Sequence, residues 1–131
     1  MCGQREPLLY VNDMVEAAER ILAVCTGIPA ELILDDVDRA DIVLWRLTVL
    51  GEAAKSVTPA VRAEYPEVGW GDVARLRDRI VHHYEGIDPH RIAEVAGSDI
   101  PWLLTALRPL RARLLEEWRR REEELGAPGQ W

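Results

Sequence analysis

The segment Arg77–Tyr84 places three reactive side-chain types close together, in the order R-x4-H-x-Y. Arg77 carries a permanent charge and a planar fork of N–H donors that matches a phosphate. The imidazole of His82 can accept or donate a proton. Tyr84 adds a hydroxyl that can be modified. The rest of the sequence looks like scaffold, so this motif is where we expect chemistry.

A guanidinium and an imidazole together suit phosphoryl transfer at a ribose. His82 can remove a proton from a 2′-hydroxyl or protonate a departing 5′-oxygen, and Arg77 can stabilise the charge of the phosphorane. The sequence shows no cluster of Asp, Glu, His or Cys with the spacing of metal ligands. The adjacent residues His82 and His83 diverge by about 100° on a helix and make a poor metal pair. These residues favour chemistry that requires no metal.

Helical geometry separates the two main candidates. Five steps along an ideal helix leave Arg77 and His82 about 140° apart around its axis, whereas Arg77 and Tyr84 would share a face. The pair can act together if the helix loosens near residues 81–83, or if a second subunit brings its own copy across a two-fold axis. The geometry favours the dimeric site.

The elements around the motif are predicted to be helical throughout. Apolar residues recur at three- and four-residue steps in residues 11–25, 36–57 and 100–118, and no strand pattern is present. We expect an all-α fold, an antiparallel bundle of four or five helices. It should form one domain over residues 1–125, followed by a flexible tail over residues 126–131.

Capping signals predict the ends of the helices near the motif. The motif helix should start near Trp70 and end with Gly86 as its C′ residue. Asp88 and the proline after it read as the N-cap and first residue of a short helix. We expect Gly97 to close that helix and Ser98 to cap the last one.

Composition and charge restrict the class of protein. The chain has 131 residues, 48% of them apolar, and a net charge of −7, which fits a folded domain and argues against a general nucleic-acid coat protein. Residues 1–70 hold 12 acidic and 6 basic side chains, whereas residues 71–95 hold 5 and 4 together with all three histidines. A polyanion can therefore still approach the motif.

No membrane span, secretion leader or metal-type cysteine spacing is apparent, so we expect a protein of the cytoplasm. Cys25 falls on an apolar helical face and should be a small core residue. For Cys2, near the N-terminus, we expect no structural or chemical role.

Several residues have a simple structural interpretation beside a functional one. Arg75 and Arg79 can be a solvated face that pairs with Asp72 and Asp78, and composition alone favours this interpretation of the stretch over a catalytic one.

Glu52 lies on a nearly all-apolar helix, where a carboxylate needs a partner. We expect Arg77, with Lys55 as the alternative. Trp45 and Trp102 are expected in the core or in a dimer interface rather than as platforms for a nucleobase.

The segment from Trp70 to Asp88 resembles the active-site segment of the HepT-like branch of the HEPN superfamily. The block Gly51–Lys55 and the segment Arg62–Pro66 resemble the residues that precede it in those proteins. Order and spacing agree from about Leu8 to Leu115. The resemblance implies a helical homodimer, or higher homo-oligomer, with a composite active site.

The resemblance also implies an activity, namely a metal-independent endoribonuclease without cofactors that acts on RNA. Arg77 and His82 would be its catalytic pair, with Asp78, His83 and Glu52 in supporting roles. Many members carry Asn at the position of Asp78. A carboxylate there either opposes the phosphate or orients a catalytic side chain.

By the same resemblance the chain would be the toxin of a type VII-like toxin–antitoxin pair. An MntA-like nucleotidyltransferase would be its antitoxin and would adenylylate Tyr84, which adds bulk and negative charge over the cleft. Two alternatives stay open. One is a non-catalytic module that docks such a nucleotidyltransferase or binds nucleotide, and the other is a plain dimerisation domain.

Overall fold

The chain folds into helices joined by short turns. A computed structural model describes residues 6–126, and within that range no strand occurs. The α-helices are α1 Pro7–Cys25, α2 Val37–Ser56, α3 Pro59–Glu64, α4 Trp70–His82, α5 Pro89–Glu94 and α6 Ile100–Glu124. The predicted all-α bundle is confirmed. Cys2 and residues 127–131 of the expected tail lie outside the described residues.

The core forms around α1, which packs against α2 on one side and α6 on the other, while α2 also packs against α4. The apolar stripe of α1 is buried as its period predicts, and Cys25 at its end is only 8% exposed. Long side chains such as Met14, Leu47 and Leu107 fill the interior. None of the described helices is both long and apolar enough to cross a membrane.

Helices α2 and α4 are in close contact at a glycine. A Cβ atom built on Gly51 would lie 2.1 Å from the Cβ of Arg77 and 3.0 Å from the carbonyl oxygen of Val73. Carbon atoms in contact normally stay about 3.5–4.0 Å apart. Only glycine therefore permits this contact, which sets the position of the arginine on α4.

The start of α4 is fixed by the turn before it. Gly69 has a φ of 70°, a left-handed conformation that glycine adopts without strain. The indole of Trp70 donates from Nε1 to the carbonyl oxygen of Tyr65 at 3.0 Å. The guanidinium of Arg113 lies 5.1 Å from the centre of the Tyr65 ring. The helix start predicted near Trp70 is confirmed.

The end of α4 differs from the prediction. The helix stops at His82, because His83 has φ −136° and ψ 41° and leaves the helical conformation. Residues 84–86 then form one 3-10 turn, in which the N–H of Gly86 donates to the carbonyl oxygen of His83 at 2.9 Å. Gly86 as a C′ residue is therefore wrong. The predicted cap at Asp88 is confirmed, since its Oδ1 accepts from the N–H of His90 at 2.9 Å.

The boundary expected at Gly97 and Ser98 is also wrong. Residues 95–99 form a π-helical turn that carries α5 directly into α6. Val95 and Ile100 on either side of the glycine are buried. Burial of these apolar residues keeps the backbone helical where the glycine alone suggests a break.

Trp45 and Trp102 are not core residues. Their exposed fractions are 62% and 65%. For Trp45 the reason is that α1 and α4 cover only part of the circumference of α2, although apolar residues surround it. The core interpretation of both tryptophans is wrong, whereas a place in a dimer interface stays a prediction.

Candidate active site

Two carboxylates hold the guanidinium of Arg77. Its Nη2 lies 2.8 Å from Oε2 of Glu52 on α2, and its Nη1 lies 2.9 Å from Oδ1 of Asp78 on α4. The Arg77 side chain is 22% exposed, so these are partly shielded ion pairs. Its Nε is buried without an acceptor among the described residues, so the arginine is held but not fully satisfied.

Lys55 completes a network of four charges. Its Nζ lies 3.0 Å from Oδ1 of Asp78, the same oxygen that Arg77 contacts. The guanidinium and then the ammonium hold the pKa of the Asp78 carboxyl below its usual range. We call Glu52, Lys55, Arg77 and Asp78 the charge network. It contains two cations and two anions, and it orients Arg77 toward α2.

The pairing expected from the sequence is partly confirmed. Glu52 contacts Arg77, which is the partner that we expected for it. Lys55, the alternative partner, contacts Asp78 instead. Asp72 pairs with Arg75 as expected. The expected pairing of Asp78 with its neighbour Arg79 is wrong, because Asp78 faces the cations of the charge network.

His82 is exposed and is the last residue of α4. Since α4 remains regular up to this residue, Arg77 and His82 stay about 140° apart and about 7.5 Å apart along the axis. The backbone loosens only at His83, one residue too late to rotate His82 toward Arg77. One chain therefore does not bring the two side chains together.

The remaining side chains of the motif follow the end of α4. His83 is exposed, and Tyr84 lies in the 3-10 turn with 61% of its surface exposed. Tyr84 therefore lies outside α4, and most of its surface is accessible to other molecules.

Two surface grooves border the motif. The first, which we call the Arg77 groove, has a volume of about 380 Å³ and is lined by Tyr10, Asp13, Trp45, Thr48, Val49, Glu52, Ala53, Ser56 and Arg77. The second, the Tyr84 groove, has a volume of about 360 Å³ and is lined by Asp41, Leu44, Trp45, Thr48, Ile80, Val81 and Tyr84. Trp45 and Thr48 line both grooves and so join the two ends of the motif across α2.

Residues 14–110 match the sequence model of the family described as Ribonuclease HepT-like. The chain belongs to this family. The match contains α2, α4 and the whole charge network. No group of three or more His, Cys, Asp or Glu side chains within residues 6–126 is placed to hold a metal ion.

Relatives of this HepT-like chain come from archaea and bacteria. A Thermococcus cleftensis protein named "Probable ribonuclease HepT" is 32% identical over 78% of this chain and 93% of its own length. A Methanocaldococcus jannaschii protein named "Putative RNase" is 30% identical over 70% of this chain and 76% of its own length. A third, from Caldanaerobacter subterraneus, also named "Putative RNase", is 26% identical over 76% and 88%. No solved structure matches the chain.

Two contributions to this HepT-like site were not predicted from the sequence, which offered Lys55 only as a partner of Glu52. Gly51 permits the close contact at Arg77, and Lys55 neutralises Asp78. The spacing of Gly51, Glu52 and Lys55 carried a signal, because residues three and four apart on a helix face the same way. What the sequence lacked was the distance to α4, which determines which of these residues the arginine meets.

Proposed function

We propose that this chain is a metal-independent endoribonuclease in which Arg77 and His82 carry the chemistry. The placement of Arg77 supports this most directly. Two carboxylates hold its guanidinium at the edge of a groove, on the same helix as an exposed histidine. The ribonuclease names of the relatives support RNA as the substrate.

In the proposed reaction the ribose 2′-oxygen attacks the adjacent phosphorus while the bond from phosphorus to the 5′-oxygen breaks. His82 accepts the 2′-hydroxyl proton, and the same histidine of a second copy gives a proton to the departing 5′-oxygen. Arg77 binds the non-bridging oxygens and stabilises the added charge of the phosphorane. The products are a 2′,3′-cyclic phosphate and a 5′-hydroxyl, so atoms and protons balance without a cofactor.

The proposal requires a homodimer or a larger homo-oligomer. Because α4 keeps Arg77 and His82 on different sides, the arginine of one copy must meet the histidine of another across a two-fold axis. A single composite cleft would then contain two guanidiniums and two imidazoles. His83, exposed next to His82, would support this cleft as a second titratable group.

Binding of RNA requires Arg77 to exchange a carboxylate for a phosphate. Glu52 is the carboxylate we expect to leave, since its side chain is 58% exposed against 44% for Asp78. Asp78 can stay in place because Lys55 offsets its charge. In this proposal Asp78 orients Arg77 and does not act as a base.

Regulation at Tyr84 is the second part of the proposal. We assign the chain to the toxin side of a type VII-like toxin–antitoxin pair of the cytoplasm, with an MntA-like nucleotidyltransferase as antitoxin. The Tyr84 oxygen would attack the α-phosphate of ATP and release pyrophosphate. Its exposure supports access by another enzyme, and the added negative charge would oppose RNA.

RNA cleavage in EDTA tests the catalytic proposal. The parent should release 2′,3′-cyclic phosphate ends, and His82→Ala and Arg77→Ala should each lose at least about 100-fold in rate. His90→Ala is the matched control, because this exposed histidine lies in the first turn of α5. Both active-site variants should also relieve growth inhibition while the dimer stays folded. Undiminished toxicity of both would refute the assignment.

Mass spectrometry tests the regulatory part. With ATP and an MntA-like nucleotidyltransferase, the parent should gain the mass of one AMP and the Tyr84→Phe protein none. If the parent cleaves no RNA but binds that enzyme tightly, the non-catalytic docking module replaces the nuclease.

A further inference from the structure

Trp45 is a large apolar side chain on the surface beside the proposed cleft. Its indole is 62% exposed and forms the ridge between the Arg77 groove and the Tyr84 groove. An exposed indole presents a rigid π-face, the feature with which proteins stack the bases of single-stranded nucleic acid. Its place beside a phosphate-binding arginine gives that face a specific use.

The Arg77 groove has the dimensions and chemistry of a nucleotide site. Its volume of about 380 Å³ falls within the range of roughly 300–1,000 Å³ of small-molecule sites. The Arg77 guanidinium among its lining residues suits a phosphate, and the Trp45 indole suits a base.

We propose that the Arg77 groove binds one nucleotide of the RNA strand, with its base stacked on Trp45 and its phosphate on Arg77. The inference rests on the proposed ribonuclease function and names a substrate contact for it. The same chemistry, a base with its phosphate, has a second source. A nucleotide attached to Tyr84 would lie in the neighbouring groove, against the same indole.

Three acceptor groups in the lining, which also includes Tyr10 and Asp13, favour some bases over others. The hydroxyl of Thr48 donates to the carbonyl oxygen of Leu44 at 2.9 Å, and the hydroxyl of Ser56 donates to that of Glu52 at 3.2 Å. Their protons are therefore committed to the backbone, and both hydroxyls offer only lone pairs to a ligand. The Glu52 carboxylate likewise only accepts. Adenine, cytosine and guanine carry amino donors and suit such a lining, whereas uracil offers carbonyl oxygens at the same positions.

Binding of 2′-O-methyl tetranucleotides measures the contact without cleavage, because the nucleophile is blocked. Trp45→Ala should weaken binding of an adenine tetranucleotide by roughly 5- to 150-fold, the range for loss of one stacked base, and Trp45→Phe should retain most of it. Trp102→Ala is the matched control, since this indole is 65% exposed but lines a cavity that does not include Arg77. Its affinity should equal that of the parent.

Base selectivity separates stacking from a merely structural role. The parent should bind the adenine tetranucleotide more tightly than the uracil one. Thr48→Val, which replaces an acceptor with a methyl group of similar size, should reduce that ratio. An unchanged ratio would overturn the assignment of base preference to the groove lining.

Two outcomes would overturn the proposal as a whole. In the first, Trp45→Ala binds the oligonucleotides as tightly as the parent does. The indole fluorescence of the parent then changes only when Tyr84 is adenylylated, and not when an oligonucleotide is added. That result would mean that Trp45 stacks on the nucleotide attached to Tyr84 and not on the RNA strand. In the second, light scattering shows that Trp45→Ala dissociates the oligomer, which would make the tryptophan an interface residue.

The ribonuclease function itself fails differently. If the parent cleaves no RNA in EDTA, the catalytic proposal is lost, whereas the oligonucleotide binding series still reports on Trp45. If the parent cleaves and Trp45→Ala has an unchanged KM, the function stands and the nucleotide site is refuted.

Discussion

Replacement of Gly51 by alanine tests whether the contact between α2 and α4 positions Arg77. The new methyl group would lie 2.1 Å from Cβ of Arg77, 2.9 Å from its Cγ and 3.0 Å from the carbonyl oxygen of Val73. Since carbon contacts begin at about 3.5 Å, the helices must move apart by roughly 1–1.5 Å. A new rotamer of Arg77 does not remove the clash, because Cβ and backbone atoms are involved.

The cost of Gly51→Ala follows from two opposing effects. Overpacking a tight contact typically costs about 1–3 kcal/mol, and alanine gains up to about 1 kcal/mol over glycine inside a helix. Because the closest atom is rigidly attached to α4, we expect a net loss of about 1–2 kcal/mol. With a urea dependence of about 1–3 kcal/mol per molar, the unfolding midpoint should fall by roughly 0.3–2 M.

Activity should suffer more than stability. A misplacement of about 1 Å can lower a rate by about 100-fold, so RNA cleavage should nearly disappear in conditions where the variant is still folded. Gly97→Ala is the control, because a Cβ there meets nothing within 4 Å; its rate should match the parent, and its midpoint should equal or exceed the parent's, since alanine is favoured over glycine in a helix. If Gly51→Ala unfolds at the parent's urea concentration and cleaves RNA at the parent's rate, the contact does not position Arg77.

Three further substitutions test other contacts. Asp78→Asn should lower the free energy of unfolding near neutral pH. The reason is that the pKa of Asp78 is lowered in the folded state. The contribution of its carboxylate to stability is therefore present above pH about 4 and is lost as the pH falls through the folded-state pKa. Urea unfolding across this range should therefore show the two proteins converging in acid, and a constant difference would contradict the charge network. Trp70→Phe removes the N–H that donates to Tyr65 and should cost about 1 kcal/mol in the same assay; an unchanged midpoint would show that this bond does not stabilise the start of α4. In a Cys2→Ser background, the Cys25 thiol should react with a thiol reagent far more slowly in the folded than in the unfolded protein, because burial raises its pKa; equal rates would show that it is not protected.

The sequence predicted the elements whose signals are local. The stripe of α1 and the cap at Asp88 depend on residues within one or two turns, and both are confirmed. The need of Glu52 for a cation was also predicted, because a carboxylate on an apolar helix needs a partner, but the sequence left Arg77 and Lys55 as candidates. The stripe and the cap need no knowledge of distant packing, whereas the choice of Arg77 depends on the contact between α2 and α4.

Other features depend on tertiary contacts that no local pattern records. Gly97 looks like a helix breaker, but burial of Val95 and Ile100 keeps the chain helical through a π turn. Trp45 lies on a helix that is apolar nearly all round, and only the positions of α1 and α4 determine that it is exposed. The role of Gly51 likewise appears only when α4 lies against it.

The charge network also affects how fast the proposed site would capture RNA. Its two cations already have anionic ligands, and their charges cancel, so little electrostatic attraction draws RNA from a distance. In the proposed reaction, capture of RNA replaces a carboxylate on Arg77 with a phosphate, as one bound anion replaces another at an occupied metal centre. A dilute monovalent anion competes poorly with the carboxylates that already bind Arg77. An RNA strand whose base is held nearby can return its phosphate to Arg77 repeatedly. The local concentration of phosphate at Arg77 is then high.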